Sequence, residues 1–181
     1  MISSQDMRIL EAKSSIPGLS LMENAGKAVY RAIRQRFELK DKKILVVCYH
    51  GNNGGDGFVA ARYLCDEAEV DILFTGDEGK LKKEAMANFK KIEHNEKIQF
   101  LVDDGVDFDG YDIIVDAMLG IGIQGMLNNE ISAVIDDINN SKAYKVAVDI
   151  PTGLDPDTGI VIDKCVTADL IVTFHDTKKG L

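Results

Sequence analysis

Asn53, Asp116, Asp149 and Thr152 are the residues whose types and positions could do chemistry. Each stands at or just beyond the end of a short apolar run. Asn53 follows Ile44-Leu-Val-Val-Cys48, Asp116 follows Asp112-Ile-Ile-Val115, and Asp149 and Thr152 follow Val146-Ala-Val148. Asn53, Asp116 and Thr152 together offer an amide oxygen, a carboxylate and a hydroxyl. An all-oxygen set suits a hard cation rather than zinc or copper. Taken singly, each could equally cap its own loop. Asp149 precedes Pro151 and Gly153 and is a candidate general acid–base at a loop edge; an N-cap or turn aspartate reads the same way.

Two glycine-rich segments accompany these residues. Gly51-Asn52-Asn53-Gly54-Gly55-Asp56-Gly57 lies between an apolar run and a helical pattern that begins near Phe58. Glycines there let the backbone turn sharply and approach a ligand, and the following helix offers unpaired N–H groups and a positive dipole end. A plain linker is also rich in glycine and asparagine. Gly120-x-Gly122-x-x-Gly125 has the spacing of the dinucleotide fingerprint, follows a strand and precedes a helix, with Asp149 ending the next strand. Such a pattern suggests phosphate held on backbone N–H groups, although short glycine patterns also recur in ordinary turns. No GxxxxGK[ST] segment occurs, which argues against a Walker-type nucleoside triphosphatase.

Other reactive side chains divide by position. His94 stands among lysines and reads as a surface residue. His50 and His175 end strands, where structural hydrogen bonding is the commoner role. Lys178 and Lys179 could serve a phosphate, act as a general acid, or form a basic tail. Cys48, Cys65 and Cys165 are odd in number, far apart and set in apolar segments. They read as reduced core residues of a cytosolic protein.

The elements that must position the site alternate between two periods. A helical segment near Met7–Ser14 breaks at Pro17-Gly18, and Ser20-Leu-Met-Glu23 has the form of a capping box opening a helix with Met22, Ala25, Val29, Ile33 and Phe37 on one face. Strands are expected at Ile44–Cys48, Val70–Phe74, Ile98–Val102, Asp112–Asp116, Tyr144–Val148 and Leu170–Phe174. Helices between them include Phe58–Asp66, the run through Leu81, Ala85, Phe89 and Ile92, and the run through Ile131, Val134, Ile135 and Ile138. The lysines at 80, 82, 83, 90 and 91 read as a solvated helix face. This alternation predicts a parallel α/β sheet with helices on both sides. Loops at the carboxyl ends of such strands share one edge, so segments 50–57, 116–125, 149–155 and 175–180 converge there.

Composition bounds the classes. The 181 residues fit one domain and are 45% apolar and 28% charged. A net charge of −9 argues against a nucleic-acid partner, which needs a basic face, but not against a small phosphorylated ligand. The first residues are too polar for a signal peptide, and no apolar run approaches a membrane span. A cytoplasmic protein without membrane contact is expected.

The chain resembles the NAD(P)H-hydrate epimerase family. The resemblance rests on Leu21-Met-Glu-Asn-Ala-Gly26, Gly51–Gly57, Asp116-Ala-Met-Leu-Gly120, Val148-Asp-Ile-Pro-Thr-Gly-Leu-Asp155 and Thr173-Phe-His-Asp-Thr-Lys-Lys-Gly180, in that order. It implies a Rossmann-like three-layer α/β/α sandwich with a mostly parallel sheet, generally a homodimer, and a separate or fused NAD(P)H-hydrate dehydratase as functional partner. The implied reaction interconverts the R and S hydrates of NADH and NADPH at C6 of the nicotinamide ring, so the nucleotide is substrate rather than cofactor. Asn53, Asp116 and Thr152 match the ligands of one potassium ion per subunit. Asn52, Asn53, Gly54, Gly55, Asp56, Gly120, Ile121, Gly122, Ile123, Gln124, Gly125, Met126 and Asp149 match substrate-binding positions, and Asp149 is the expected acid–base.

The sequence departs from that family in several places. Thr152 replaces a commoner serine, Ile121 stands where threonine is frequent, and Tyr49-His50 precede Gly51 where another glycine is often found. The chain stops at Leu181, where members of the family usually continue through another strand or two. Two other readings compete with the epimerase: a nucleotide-binding scaffold without catalysis, and a nicotinamide-dependent oxidoreductase resting on the Gly120–Gly125 spacing.

Overall fold

A computed structural model describes residues 1–102, 105–122, 126–161 and 163–181. Its strands are β1 (Lys43–Cys48), β2 (Glu69–Phe74), β3 (Ile98–Leu101), β4 (Ile113–Ala117), β5 (Tyr144–Val148) and β6 (Leu170–Val172). They form one sheet in the order β3-β2-β1-β4-β5-β6, with every pairing parallel. The α-helices are α1 (Ser4–Lys13), α2 (Gly18–Arg34), α3 (Asn52–Leu64), α4 (Lys83–Phe89) and α5 (Asn129–Asn140), with short 3-10 helices at Glu78–Lys80 and Phe108–Gly110.

The central strands β1 and β4 are buried along nearly their whole length, which explains their almost continuous apolar sequences. Ile44, Val46 and Cys48 point into one layer with Val29, Ile33 and Phe58 of α2 and α3. Leu45 and Val47 point the other way, against Ile131, Val134, Ile135 and Ile138 of α5. The three-layer α/β/α sandwich expected from the sequence is therefore present. Helix α2 lies tight on α3, because a Cβ at Gly26 would fall 2.4 Å from Val59 Cβ.

Among the boundaries that differ from the sequence expectation, three have a specific physical cause. Helix α2 starts at Gly18, directly after Pro17, and the Ser20 N–H already donates to the Pro17 carbonyl at 2.8 Å. Ser20 is thus inside the first turn and forms no capping box with Glu23. Proline sets the start here because it has a fixed φ and no N–H of its own to satisfy. Helix α3 starts at Asn52 instead of near Phe58, so the glycine-rich segment is its first two turns. Glycine is a poor helix former, but packing overrides that cost: a Cβ at Gly54 would lie 1.7 Å from the Tyr49 carbonyl oxygen, and one at Gly57 2.5 Å from Ala117 Cβ. Strand β6 ends at Val172 rather than Phe174, because the Phe174 N–H turns out of the sheet to donate to the Asp149 carboxylate.

From β1 the chain builds outward through β2 to β3, then returns past β1 to β4 and builds the other way. Loops after β1 and β4 therefore diverge and leave a crevice between them, the usual ligand position in an open α/β sheet. Asn53 and Asp116 flank that crevice.

Candidate active site

The β4 strand carries Asp116 into the interior, with 1% of its surface exposed. Its carboxylate is satisfied by the loop after β5. Thr152 N–H donates to Oδ2 at 2.8 Å and the Thr152 hydroxyl to Oδ1 at 2.6 Å, while Met118 N–H donates to Oδ1 at 3.2 Å. Burial pushes the Asp116 carboxyl up to about 6, against the opposing pull of those bonds from Thr152 and Met118. The Thr152 hydroxyl also accepts from Leu119 N–H at 3.0 Å. At the next residue a Cβ on Gly120 would come 3.2 Å from Asn53 Oδ1. The three residues singled out for a cation thus converge on the Leu119–Gly120 turn. Asn53 is 7% exposed, and its amide nitrogen is buried without a hydrogen-bond partner. Among the described residues no three His, Cys, Asp or Glu side chains are grouped to hold a metal.

Asp149 is the first residue beyond β5 and adopts a left-handed φ of 64°. That conformation is costly for a residue with a side chain. Its surroundings hold it there: Asp149 N–H donates to the Val172 carbonyl at 2.8 Å, and Ile150 N–H closes a three-residue turn onto the Val148 carbonyl at 2.8 Å. The carboxylate Oδ1 accepts from Lys178 Nζ, from the Thr173 hydroxyl at 3.3 Å and from Phe174 N–H at 3.3 Å. Lys178 is fully buried and also donates to Thr173 Oγ1 at 3.0 Å and the Phe174 carbonyl at 2.9 Å. Asp149 Oδ2 accepts no hydrogen bond from a described residue. One carboxylate oxygen is anchored by three donors and the other is left available.

The amino end of α3 faces the same crevice. Gly51 is its N-cap and provides no side-chain cap, so the first N–H groups of the helix lack intrahelical acceptors. The Gly55 N–H is already spent on the Gly51 carbonyl at 3.2 Å. A Cβ at Gly55 would meet Met22 at 2.6 Å, so that glycine serves the α2–α3 contact. Asp56 is half-buried, and burial, reinforced by the charge of Asp149 and then Glu11, pushes its carboxyl well above the usual carboxylate range. A surface groove of about 780 Å³ lined by Tyr30, Arg34, Phe37 and Glu67 lies at the other end of the strands and touches none of these residues.

Residues 18–180 match the YjeF-related protein N-terminus family. The chain belongs to this family. It is 45% identical to a bifunctional NAD(P)H-hydrate repair enzyme Nnr of Archaeoglobus fulgidus, over 99% of this chain and 38% of that protein. It is 38% identical to an NAD(P)H-hydrate epimerase of Nitrosopumilus maritimus over 89% of this chain and 77% of the relative, and 39% identical to one of Oenococcus oeni over 93% and 80%. The chain spans about two-fifths of the bifunctional relative's length. The crystal structure of yeast ynu0 superposes with a TM-score of 0.85 at 23% identity, covering 99% of this chain and 82% of that one, a likeness of fold.

Ile123, Gln124 and Gly125 lie outside the described residues. Asn52, Gly122 and Met126 are exposed, and Gly120 and Ile121 half-buried, along the crevice loops. His50 is a structural residue whose Nδ1 accepts from Asp77 N–H at 3.4 Å, and its ring lies against Tyr49. His94 and His175 are exposed. The three cysteines are free, and burial pushes the Cys48 thiol well up. No described helix is long and apolar enough to cross a membrane. Lys178 is not part of a basic tail, since it is enclosed against Asp149 while Lys179 is exposed. Thr173 and Arg8 were not singled out by sequence reasoning. Thr173 carried a signal in its place at the end of a strand; Arg8, in the amino-terminal helix, carried none.

Proposed function

We propose that this domain interconverts the R and S hydrates of NADH and NADPH at C6 of the nicotinamide ring. The supporting observation is the asymmetric environment of Asp149, with Oδ1 held by Lys178, Thr173 and Phe174 and Oδ2 taking no hydrogen bond from a described residue. The names of the relatives from Nitrosopumilus maritimus and Oenococcus oeni point to the same reaction.

Inverting C6 needs the C6–O bond to break and re-form on the other face. The departing oxygen takes up a proton and leaves as water, while the ring nitrogen lone pair satisfies the cationic carbon. Water then adds from the opposite face and gives up a proton. One carboxyl group beside C6 can pass on the first proton, drawn from an ammonium paired with it, and return the second the same way, so the pair ends as it began and no redox equivalent is consumed. We assign that task to Asp149. Lys178 and Thr173 fix its orientation, and exclusion of water around the pair strengthens their hold.

The unpaired N–H groups at the start of α3 and the backbone of the Gly120–Met126 loop would receive phosphate and ribose groups. Asn53, Asp116 and Thr152 would hold a potassium ion. One formal charge, hard oxygens and an unpartnered buried amide end on Asn53, whose O and N ends exchange by a simple flip, fit a monovalent hard cation. Such an ion supplies fixed positive charge near the phosphates. A homodimer and a dehydratase that consumes the S hydrate complete this reading. The relative from Archaeoglobus fulgidus is named a bifunctional NAD(P)H-hydrate repair enzyme, in keeping with a second activity beside this one.

The test is direct: the purified protein is given the R hydrate and the products are separated by chromatography. Accumulation of the S hydrate faster than spontaneous exchange supports the proposal. Binding without conversion would leave a scaffold, and a change in reduced-nicotinamide absorbance with an added substrate would indicate an oxidoreductase.

A further inference from the structure

The amino-terminal segment is strapped across the carboxyl edge of the sheet. Ile2 pairs with the loop after β6 on both sides, its N–H donating to the Thr177 carbonyl at 2.9 Å and its carbonyl accepting from Lys179 N–H at 3.3 Å. The Met1 ammonium lies 3.0 Å from Asp176. Ser4 donates to Asp157 through both its N–H, at 2.7 Å, and its hydroxyl, at 2.5 Å. Met7 is buried beneath the helix. From this anchored helix Arg8 reaches the crevice, where its Nη2 donates to the Ile121 carbonyl at 3.0 Å. Ile121 lies between Gly120 and Gly122, in the loop proposed above to receive phosphate groups.

Two features make Arg8 more than a loop pin. It is exposed, and among the described residues its guanidinium is in no ion pair. Among the described residues its one hydrogen bond, to Ile121, engages one of the five guanidinium donors and fixes where the group sits. Lys178, another cation of this edge, is committed to Asp149, and the Met1 ammonium is paired with Asp176. A chain of net charge −9 that binds a polyanionic ligand needs a local positive group at the phosphates. A pre-positioned arginine loses little further freedom when it engages an oxyanion.

We infer that Arg8 is a substrate-binding residue that takes a phosphate oxyanion of the dinucleotide at the Gly120–Gly122 turn. This rests on the proposed substrate class. Its chemistry is charge-assisted hydrogen bonding to phosphate, supplied by a helix that lies before the matched family span of residues 18–180.

The experiment compares wild type, Arg8→Gln and Arg8→Lys on three substrates: NADH hydrate, NADPH hydrate, and the hydrate of reduced nicotinamide riboside, which has no phosphate. Arg8→Gln keeps a donor for the Ile121 carbonyl and removes the charge. KM for both dinucleotide hydrates should rise about tenfold or more with kcat within about twofold, in line with the loss of a charged hydrogen bond. The riboside hydrate should show no change, and Arg8→Lys should recover part of the loss. Equal rises for NADH and NADPH hydrates assign Arg8 to the pyrophosphate; a larger rise for the NADPH hydrate assigns it to the 2′-phosphate. An unchanged KM, or equal losses on all three substrates, would overturn the inference. ADP-ribose binding, measured by calorimetry on the same proteins, separates this result from failure of the proposed reaction. A wild type that binds ADP-ribose without epimerising hydrates defeats the reaction alone. Arg8 then stands if Arg8→Gln weakens that binding about tenfold, and falls if it does not.

Discussion

The Lys178 ammonium and the Asp149 carboxylate form an enclosed ion pair that ties the loop after β5 to the loop after β6. Lys178 buries its entire side chain to reach Asp149 Oδ1, and the same nitrogen bridges Thr173 and Phe174. The pair makes the position of one carboxylate oxygen a property of two separate chain segments.

Breaking a buried pair from one side leaves an uncompensated charge, at a cost of about 3–5 kcal/mol. Lys178→Met should therefore destabilise the protein by roughly that amount. Adding Asp149→Asn should return part of the loss, because the stranded charge is gone. Urea denaturation of the two single variants and the double variant measures the coupling. Additive losses would show that the pair contributes no coupling.

Asp149→Asn retains shape and hydrogen-bonding capacity but cannot shuttle a proton. R-to-S exchange at saturating substrate should slow by about 10²–10⁴-fold, with ligand affinity changed only a few-fold. A near-native exchange rate would move the proton transfer to another group, and Asp56, half-buried with its carboxyl held high, would be the next to replace.

The pH dependence of stability should carry the signature of Asp116. Burial lifts its carboxyl to about 6, above the ordinary value near 4. Between those two values the folded protein holds a proton that the unfolded chain has released. Asp116 therefore favours folding most below about pH 4, and that advantage is lost as pH rises through about 6. In potassium-free buffer, wild type should lose on the order of 2–3 kcal/mol relative to Asp116→Asn between pH 4 and pH 7. Potassium at pH 7 should restore part of the wild-type stability and leave Asp116→Asn unaffected, read as a shift in Tm.

Glycines in the α3 segment should separate by what they touch. Gly54→Ala would drive a Cβ within 1.7 Å of the Tyr49 carbonyl oxygen, a backbone clash that should abolish folding or cost several kcal/mol. Gly55→Val overpacks Met22 and should cost about 1–3 kcal/mol. A Cβ at Gly51 meets nothing within 4 Å, and Gly51→Ala should cost no more than about 1 kcal/mol, the scale of an N-cap change. Denaturant midpoints for the three variants give the order.

Much of this was legible in the chain before any coordinates. Val146-Ala-Val148 and Ile44–Cys48 announce buried parallel strands because both faces of such strands need apolar side chains. Helix α5 was readable from Ile131, Val134, Ile135 and Ile138 because one face alone meets the sheet. The glycine-rich segment was harder. Local propensity makes Gly51–Gly57 a loop, whereas contacts with Tyr49, Met22 and Ala117 make it helix.

The sequence by itself determined the alternation of strands and helices, and with it the single edge where Asn53, Asp116, Asp149 and Thr152 had to meet. Period and residue type are local properties, and the chirality of β-α-β connections does the rest. Only the tertiary structure decided that Lys178, 29 positions beyond Asp149, is enclosed against it, and that Arg8 crosses to Ile121. A lysine near the end of a chain and an arginine on a short helix look like solvated charges in one dimension. Their roles arise from which segments the completed sheet brings within a few ångströms, and no local pattern encodes that.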